Sequence, residues 1–194
     1  MKITAKWLTK VCACAPGMAW FAAQTESDGA AVVKKLMAED RYDWANWLIC
    51  RLFDRRQRIL YAVFAAEQVL DIFEKKYPAD KRPRLAIAAA RACIDDDSAA
   101  AAAYAAYAAY HARAAANAAA TNAATYAAYA AAAAIDAANA AYHADAAYAA
   151  YHADAAYAAA NAAAYAAAYA AADRNKMKKK ILKYGQTLFT TEEK

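Results

Sequence analysis

His143 and His152 sit in a near-perfect repeat, Tyr142-His143-Ala144-Asp145-Ala146-Ala147-Tyr148-Ala149-Ala150 followed by Tyr151-His152-Ala153-Asp154-Ala155-Ala156-Tyr157. Histidine titrates near neutral pH and is the commonest metal ligand, so a recurring His–Asp pair invites acid–base or metal chemistry. The spacing argues against both. Nine residues make two and a half helical turns, which sends His143 and His152 to opposite sides of a straight helix, and Asp145 and Asp154 likewise. Within one repeat, His and Asp stand two residues apart and do not face each other on a helix. Repeat slippage accounts for the duplication without any functional demand. The third histidine, His111, lies beside Tyr110 and two residues before Arg113, and is the best isolated polar feature of the region.

Other chemistry is scarce. Three glycines in the whole chain, Gly17, Gly29 and Gly185, leave no glycine-rich phosphate loop. No nucleophile elbow and no recognisable catalytic carboxylate pair appears. The cysteines Cys12, Cys14, Cys50 and Cys93 lack metal-ligand spacing. Cys12-Ala13-Cys14 could form a redox pair, but reduced, buried thiols fit better and place the chain in a cytoplasmic compartment. No catalytic residue, metal or cofactor is therefore expected.

The histidines lie in a tract, residues 99–172, that is about two-thirds alanine, with tyrosine its commonest other residue and neither glycine nor proline. Alanine has the highest helix propensity because it loses no side-chain entropy in a helix. One continuous helix of 74 residues would run roughly 110 Å. The tract is thus expected to fold back, with turns at 117–125 or 136–139. It never runs much beyond a dozen residues without a polar side chain, which argues against a membrane span.

Residues 1–98 have ordinary globular composition and predict helices near 4–13, 17–23, 29–38 and 41–53. A longer helix is expected over 55–76, opened by Asp54 and Gln57 as a capping box and closed by Pro78. Another begins at Pro83 and runs to about Ile94. Asp95-Asp96-Asp97-Ser98 supplies an N-cap for the first helix of the alanine tract. The fold class is all-α: a multi-helix bundle whose long Ala/Tyr-rich helices fold back on an N-terminal helical part. Residues 1–98 and 99–194 are read as two parts packed together as a single domain.

Net charge is +5, from 24 basic and 19 acidic side chains, which is too mild for a dedicated nucleic-acid binder. The run Arg174, Lys176, Lys178, Lys179, Lys180 and Lys183 could meet nucleic acid or an acidic partner, but a solvated lysine face explains it as well. Tyr104, Tyr107 and Tyr110, spaced by three, form a slanting stripe. They serve either as the large core residues that alanine cannot supply or as flat faces lining a ligand pocket. In the second case the candidate ligand-binding residues are Tyr107, Tyr110, His111, Arg113, Arg55, Arg58, His143 and His152.

The stretch from Asp54-Arg55-Arg56-Gln57-Arg58-Ile59-Leu60-Tyr61 through Ala66-Glu67-Gln68-Val69-Leu70-Asp71-Ile72-Phe73 to Asp80-Lys81-Arg82-Pro83-Arg84-Leu85-Ala86-Ile87 resembles the Imm5-like immunity proteins of bacterial polymorphic toxin systems, which also occur in phage genomes. Cys14-Ala15-Pro16-Gly17-Met18-Ala19-Trp20-Phe21 and Ile181-Leu182-Lys183-Tyr184-Gly185 extend the resemblance. It implies an all-helical, non-enzymatic protein that acts by binding something harmful, and it carries over no catalytic residues.

Two functions follow as expectations. The first is neutralisation of a toxin or defence effector protein, with anchors such as Trp44 and Trp47. The second is a phage-type sponge that sequesters a nucleotide-derived small molecule in a Tyr/Arg/His-lined pocket. Neither needs a membrane, and self-association into a homo-oligomer stays open.

Overall fold

The computed structural model describes residues 1–96, 98, 100–101, 104–105, 107–108, 111, 157, 160 and 174–190. They are helical, with one isolated bridge, Lys2 to Asp28, and no strand among the described residues. In chain order the helices are α1 (Ala5–Lys10), α2 (Ala15–Ala22), α3 (Gly29–Ala38), α4 (Tyr42–Leu52), α5 (Arg55–Glu67), α6 (Leu70–Lys76), α7 (Arg82–Ala92) and α8 (Arg174–Leu188). Among them no helix is long and apolar enough to cross a membrane.

Local chemistry sets most of these boundaries. Thr4 and Asp28 cap α1 and α3 by accepting the backbone N–H of Trp7 and Ala31. The predicted capping box opens α5: Gln57 N–H donates to Asp54 Oδ1 at 2.8 Å, and Asp54 N–H donates to Gln57 Oε1 at 3.1 Å. Ser98 Oγ accepts from Ala101 N–H, as expected of an N-cap.

Three expectations need correction. The helix over 55–76 is two helices, parted at Gln68–Val69. There the backbone tightens to i−3 bonds, Val69 N–H donating to the Ala66 carbonyl and Ile72 N–H to that of Val69, while the Gln68 backbone and side-chain N–H groups both donate to the Phe64 carbonyl. Pro16 does not precede α2 but lies in its first turn, where its missing N–H removes no helical bond. The tyrosines at 104 and 107 are exposed, while Ala105 and Ala108 beside them are buried. At these positions alanine, not tyrosine, faces the core. The expected turns at 117–125 and 136–139 lie outside the described residues.

α8 packs against α3, α4 and α5, and α5 packs against α7. Small buried residues, Ala62, Ala65 and Ala66 on α5 with Ala86, Ala89 and Ala90 on α7, add little bulk to that second pairing. Where α8 meets α4 and α5, space is tighter still. A Cβ on Gly185 would lie 2.6 Å from Ile49 Cδ1 and 2.7 Å from Tyr61 Cε2. Both side chains are fully buried and have no room to withdraw. The Tyr61 hydroxyl donates to Asn46 Oδ1 at 2.8 Å, so the two polar groups nearest this contact satisfy each other. Burial pushes the Tyr61 phenol well above its usual pKa, and the neighbouring Cys50 pushes the same way. Gln57 completes the joint: its Nε2 donates to the Leu188 carbonyl at 2.9 Å, closing an orphan carbonyl near the end of α8.

Gly185→Ala is therefore expected to lower unfolding stability by about 2 kcal/mol through overpacking. Urea denaturation followed by circular dichroism checks this. An unchanged midpoint would show that the α8 crossing is looser than described.

A candidate docking cleft lined by tryptophans

α2 is apolar along its whole length, Ala-Pro-Gly-Met-Ala-Trp-Phe-Ala, yet not one of its residues is fully buried. Its apolar side chains border an open cavity of about 330 Å³ between α1, α2, α3 and α4. The inner lining is buried and aliphatic: Ile3, Leu8, Val32, Leu36 and Leu48. Half-buried aromatic rings form the rest, Trp20 and Phe21 from α2 with Trp44 and Trp47 from α4. Cys12, Cys14 and Asp43 are exposed at its margin, and Tyr157 of the alanine tract also contributes.

The chain enters this region through two tight helix ends. At the end of α1, Cys12 N–H donates to the Thr9 carbonyl and Ala13 N–H to the Leu8 carbonyl. At the end of α3, Asp40 N–H donates to Met37 and Arg41 N–H to Leu36. Both are Schellman turns, which place one residue in the left-handed region usually given to glycine. Here those residues are Cys12, at φ 58°, and Asp40, at φ 56°. A non-glycine residue costs roughly 1–2 kcal/mol in that conformation. Backbone strain of this kind concentrates at functional sites, and both strained positions of the described chain flank the cleft, Cys12 in its lining and Asp40 in the shallow groove beside it.

Polar contacts hold the aromatic walls. Trp20 and Trp44 meet edge to face, with centroids 6.5 Å apart. The Trp20 Nε1–H donates to Glu39 Oε2 at 2.8 Å, and Arg41 Nε donates to the same oxygen at 2.9 Å. The indole bond, then Arg41, holds the Glu39 carboxyl below the usual glutamate range. Arg41 lies 4.7 Å over the Trp44 ring, and Arg51 lies 5.1 Å over Trp47. Asp43 pairs with Lys178 of α8, and Asn46 Nδ2 donates to the Tyr157 carbonyl at 3.3 Å. α4 thus turns Ala45, Asn46 and Ile49 toward the core while Trp44 and Trp47, one turn apart, line the cleft.

The sequence-derived ligand residues fall elsewhere. Tyr107 is exposed, and its ring meets His111 edge on, 4.3 Å between centroids. Arg58 Nε donates to the Cys50 carbonyl at 3.0 Å, and burial lowers its guanidinium pKa. Arg55 is half-buried, with Nε and Nη2 shielded from solvent and lacking a hydrogen-bond partner among the described residues. Tyr110, Arg113, His143 and His152 lie outside the described residues. Among those described, the structure brings Tyr107 to His111 and sets Arg55 and Arg58 on α5, where the contact of Arg58 runs to the end of α4.

The cysteine expectation holds only in half. All four are free, with Cys50 and Cys93 buried, but Cys12 and Cys14 are exposed because the turn after α1 carries them to the cleft margin. No group of three metal-ligating side chains occurs among the described residues. The sequence marked Trp44 and Trp47 as anchors but missed Trp20, Cys12, Cys14 and Asp43 around them. The uniformly apolar stretch 15–22 was the available signal.

Residues 49–186, well over half of the chain, match the family described as "Imm-5 like putative immunity protein". The chain belongs to this Imm5-like family. No curated protein and no solved structure matches it. The matched stretch of this Imm5-like chain starts within α4 and ends within α8, so it includes Gln57, Tyr61 and Gly185 of the central joint. Apart from Tyr157, every described residue lining the cleft precedes it. The shared scaffold thus stands behind α4, and the tryptophan cleft is built in front of it by the first 48 residues.

A carboxyl with a lowered pKa contributes its contact above the ordinary pKa and loses it as pH falls through the lowered value. The Trp20 indole N–H resonance is therefore expected to titrate below the usual glutamate range, and Glu39→Gln to abolish that titration. A midpoint at the ordinary glutamate value would show that the Trp20–Glu39 bond is not kept in solution.

Proposed function

We propose that this Imm5-like chain neutralises a toxin or defence effector protein by binding it, without turnover, on the tryptophan cleft. One observation carries the choice of surface: Trp20, Trp44 and Trp47 remain half-buried around an open cavity of about 330 Å³. Tryptophan is enriched among the residues that dominate binding energy, and such residues work best where a partner completes their desolvation. Half-buried indoles fixed by Glu39, Arg41 and Arg51 supply preorganised area, so little side-chain entropy is lost on docking. Family membership supports the immunity role, and no part of this reading requires a cofactor.

Sequestration of a nucleotide-derived signal is the second reading. It is favoured by Arg55, whose shielded Nε and Nη2 lack hydrogen-bond partners among the described residues and suit a phosphate. The tryptophan cleft does not suit that ligand, because the charged residue among its described lining is the carboxylate of Asp43. A nucleotide site would need Arg55 together with Arg58, Tyr107, Tyr110, His111, Arg113, His143 and His152.

Co-expression of the chain with a panel of bacterial toxin domains, scored by survival, identifies what it neutralises. Trp47→Ala is then expected to reduce protection at least about tenfold, the loss typical of a binding anchor, with helicity by circular dichroism unchanged. Full protection by both Trp47→Ala and Trp20→Ala would show that docking occurs elsewhere.

A further inference from the structure

We infer that Cys12 and Cys14 form a thiol–disulfide exchange site, a dithiol that reacts with low-molecular-weight disulfides and closes to an internal Cys12–Cys14 disulfide. The inference is independent of where a toxin docks. Free cysteine is among the most buried residue types, where it packs as a small apolar group. Cys50 and Cys93 fit that description. Both are buried, Cys50 Sγ lies 3.8 Å from Asn46 Oδ1, and burial pushes the Cys93 thiol up. Cys12 and Cys14 do not fit it. Both are exposed, and neither thiol has a hydrogen-bond partner among the described residues.

The local fold sets both thiols on one side of the chain. Ala13 packs against the core between them, while its two neighbours are exposed, and all three border the same cavity. The backbone there is held from both ends. Cys12 N–H donates to the Thr9 carbonyl at 3.1 Å and Ala13 N–H to the Leu8 carbonyl at 2.9 Å, closing α1, and Cys14 then opens α2 as its N-cap. Residues two apart can be separated by at most about 7 Å. The chain thus keeps the pair close to the roughly 4.4–6.8 Å that a disulfide spans between Cα atoms. Cys12, at φ 58°, fills the left-handed position where glycine is free of strain. Its sulfur is neither buried nor bonded, so packing gives no reason for a cysteine at that position, whereas exchange chemistry does. Beside Cys14, residue 17 is glycine. A Cβ there would sit 3.3 Å from Cys14 Sγ, so its absence leaves that flank of the sulfur uncrowded.

The reaction needs one disulfide and no other reagent. One cysteine thiolate attacks a sulfur of glutathione disulfide, forming a mixed disulfide as the S–S bond breaks and a glutathione thiolate leaves with the electron pair. The second cysteine thiolate then attacks the protein sulfur of that mixed disulfide and expels the second glutathione. The dithiol is oxidised by two electrons, glutathione disulfide is reduced, and the two thiol protons end on the two glutathione molecules released. Buried Cys50 and Cys93 are closed to the reagent and serve as internal controls.

The test equilibrates the reduced full chain with mixtures of glutathione and glutathione disulfide, quenches with acid, alkylates after denaturation and reads each cysteine by peptide mass spectrometry. Cys12 and Cys14 are expected to lose alkylation together, joined within one peptide, while Cys50 and Cys93 stay alkylated. Cys12→Ser and Cys14→Ser should each accumulate the glutathione adduct that the unaltered chain resolves, with helicity by circular dichroism unchanged. The folded chain should reach half-oxidation at a glutathione disulfide level at least about threefold lower than the same chain in urea, because the turn raises the effective concentration of one thiol at the other. Stable glutathione adducts on the unaltered pair, a disulfide between chains, full alkylation at both positions, or the same half-oxidation point in urea would overturn the inference.

Discussion

Residue 185 is the point at which α8 can come close enough to α4 and α5 for the remaining contacts to form. Without a side chain there, the Tyr61 ring and the end of Ile49 lie directly against the α8 backbone, and any Cβ would overlap both. The closeness has consequences on each side. It buries Tyr61 completely, which obliges its hydroxyl to find Asn46 and holds the phenol neutral. It also brings Tyr184 onto Phe64, stacked with centroids 4.0 Å apart, and Leu188 within reach of Gln57. The joint is closed and joins α8 to α4 and α5, two neighbouring helices far from it in sequence. α4 is fixed by it from behind, which leaves its opposite side free to carry an interaction surface on a rigid element.

That opposite side is built on different principles. The joint is apolar and closed, whereas the cleft is apolar and open, with two left-handed non-glycine residues at its approaches and an apolar helix that buries none of its residues completely. The tryptophan of that helix lines the open space and is held by a bond to Glu39, and the tryptophans of α4 are backed by Arg41 and Arg51. A bound partner would fill that open apolar volume, and its described lining lies, apart from Tyr157, on the part of the chain that precedes the family-shared stretch.

Features with local causes were legible in the sequence. The capping box at Asp54 and Gln57, the cap at Ser98 and the boundaries of α3 depend on residues a few positions apart, so spacing reveals them. The second task of Gln57, toward Leu188, could not be read, because those residues meet only through the fold, 131 positions apart. The same holds for Asn46 with Tyr157 and Lys178 with Asp43. The break at Gln68 escaped because the apolar pattern continues through it while the backbone changes to i−3 bonds at Val69 and Ile72. Histidine, tyrosine and arginine drew attention to the alanine tract because their chemistry is conspicuous there. The cleft escaped because it is made of residues that elsewhere would be core, and a tryptophan does not announce whether the space beside it is filled.

The central claim is that this Imm5-like chain works through the face formed by α2 and α4. Hydrogen–deuterium exchange, comparing the free chain with its complex with the toxin it protects against, tests that most directly. Slowed exchange is expected in segments 15–22 and 42–48, with the α8 segment around residue 185 already slow in the free chain. Protection confined to residues 99–172, with segments 15–22 and 42–48 unchanged, would contradict the claim.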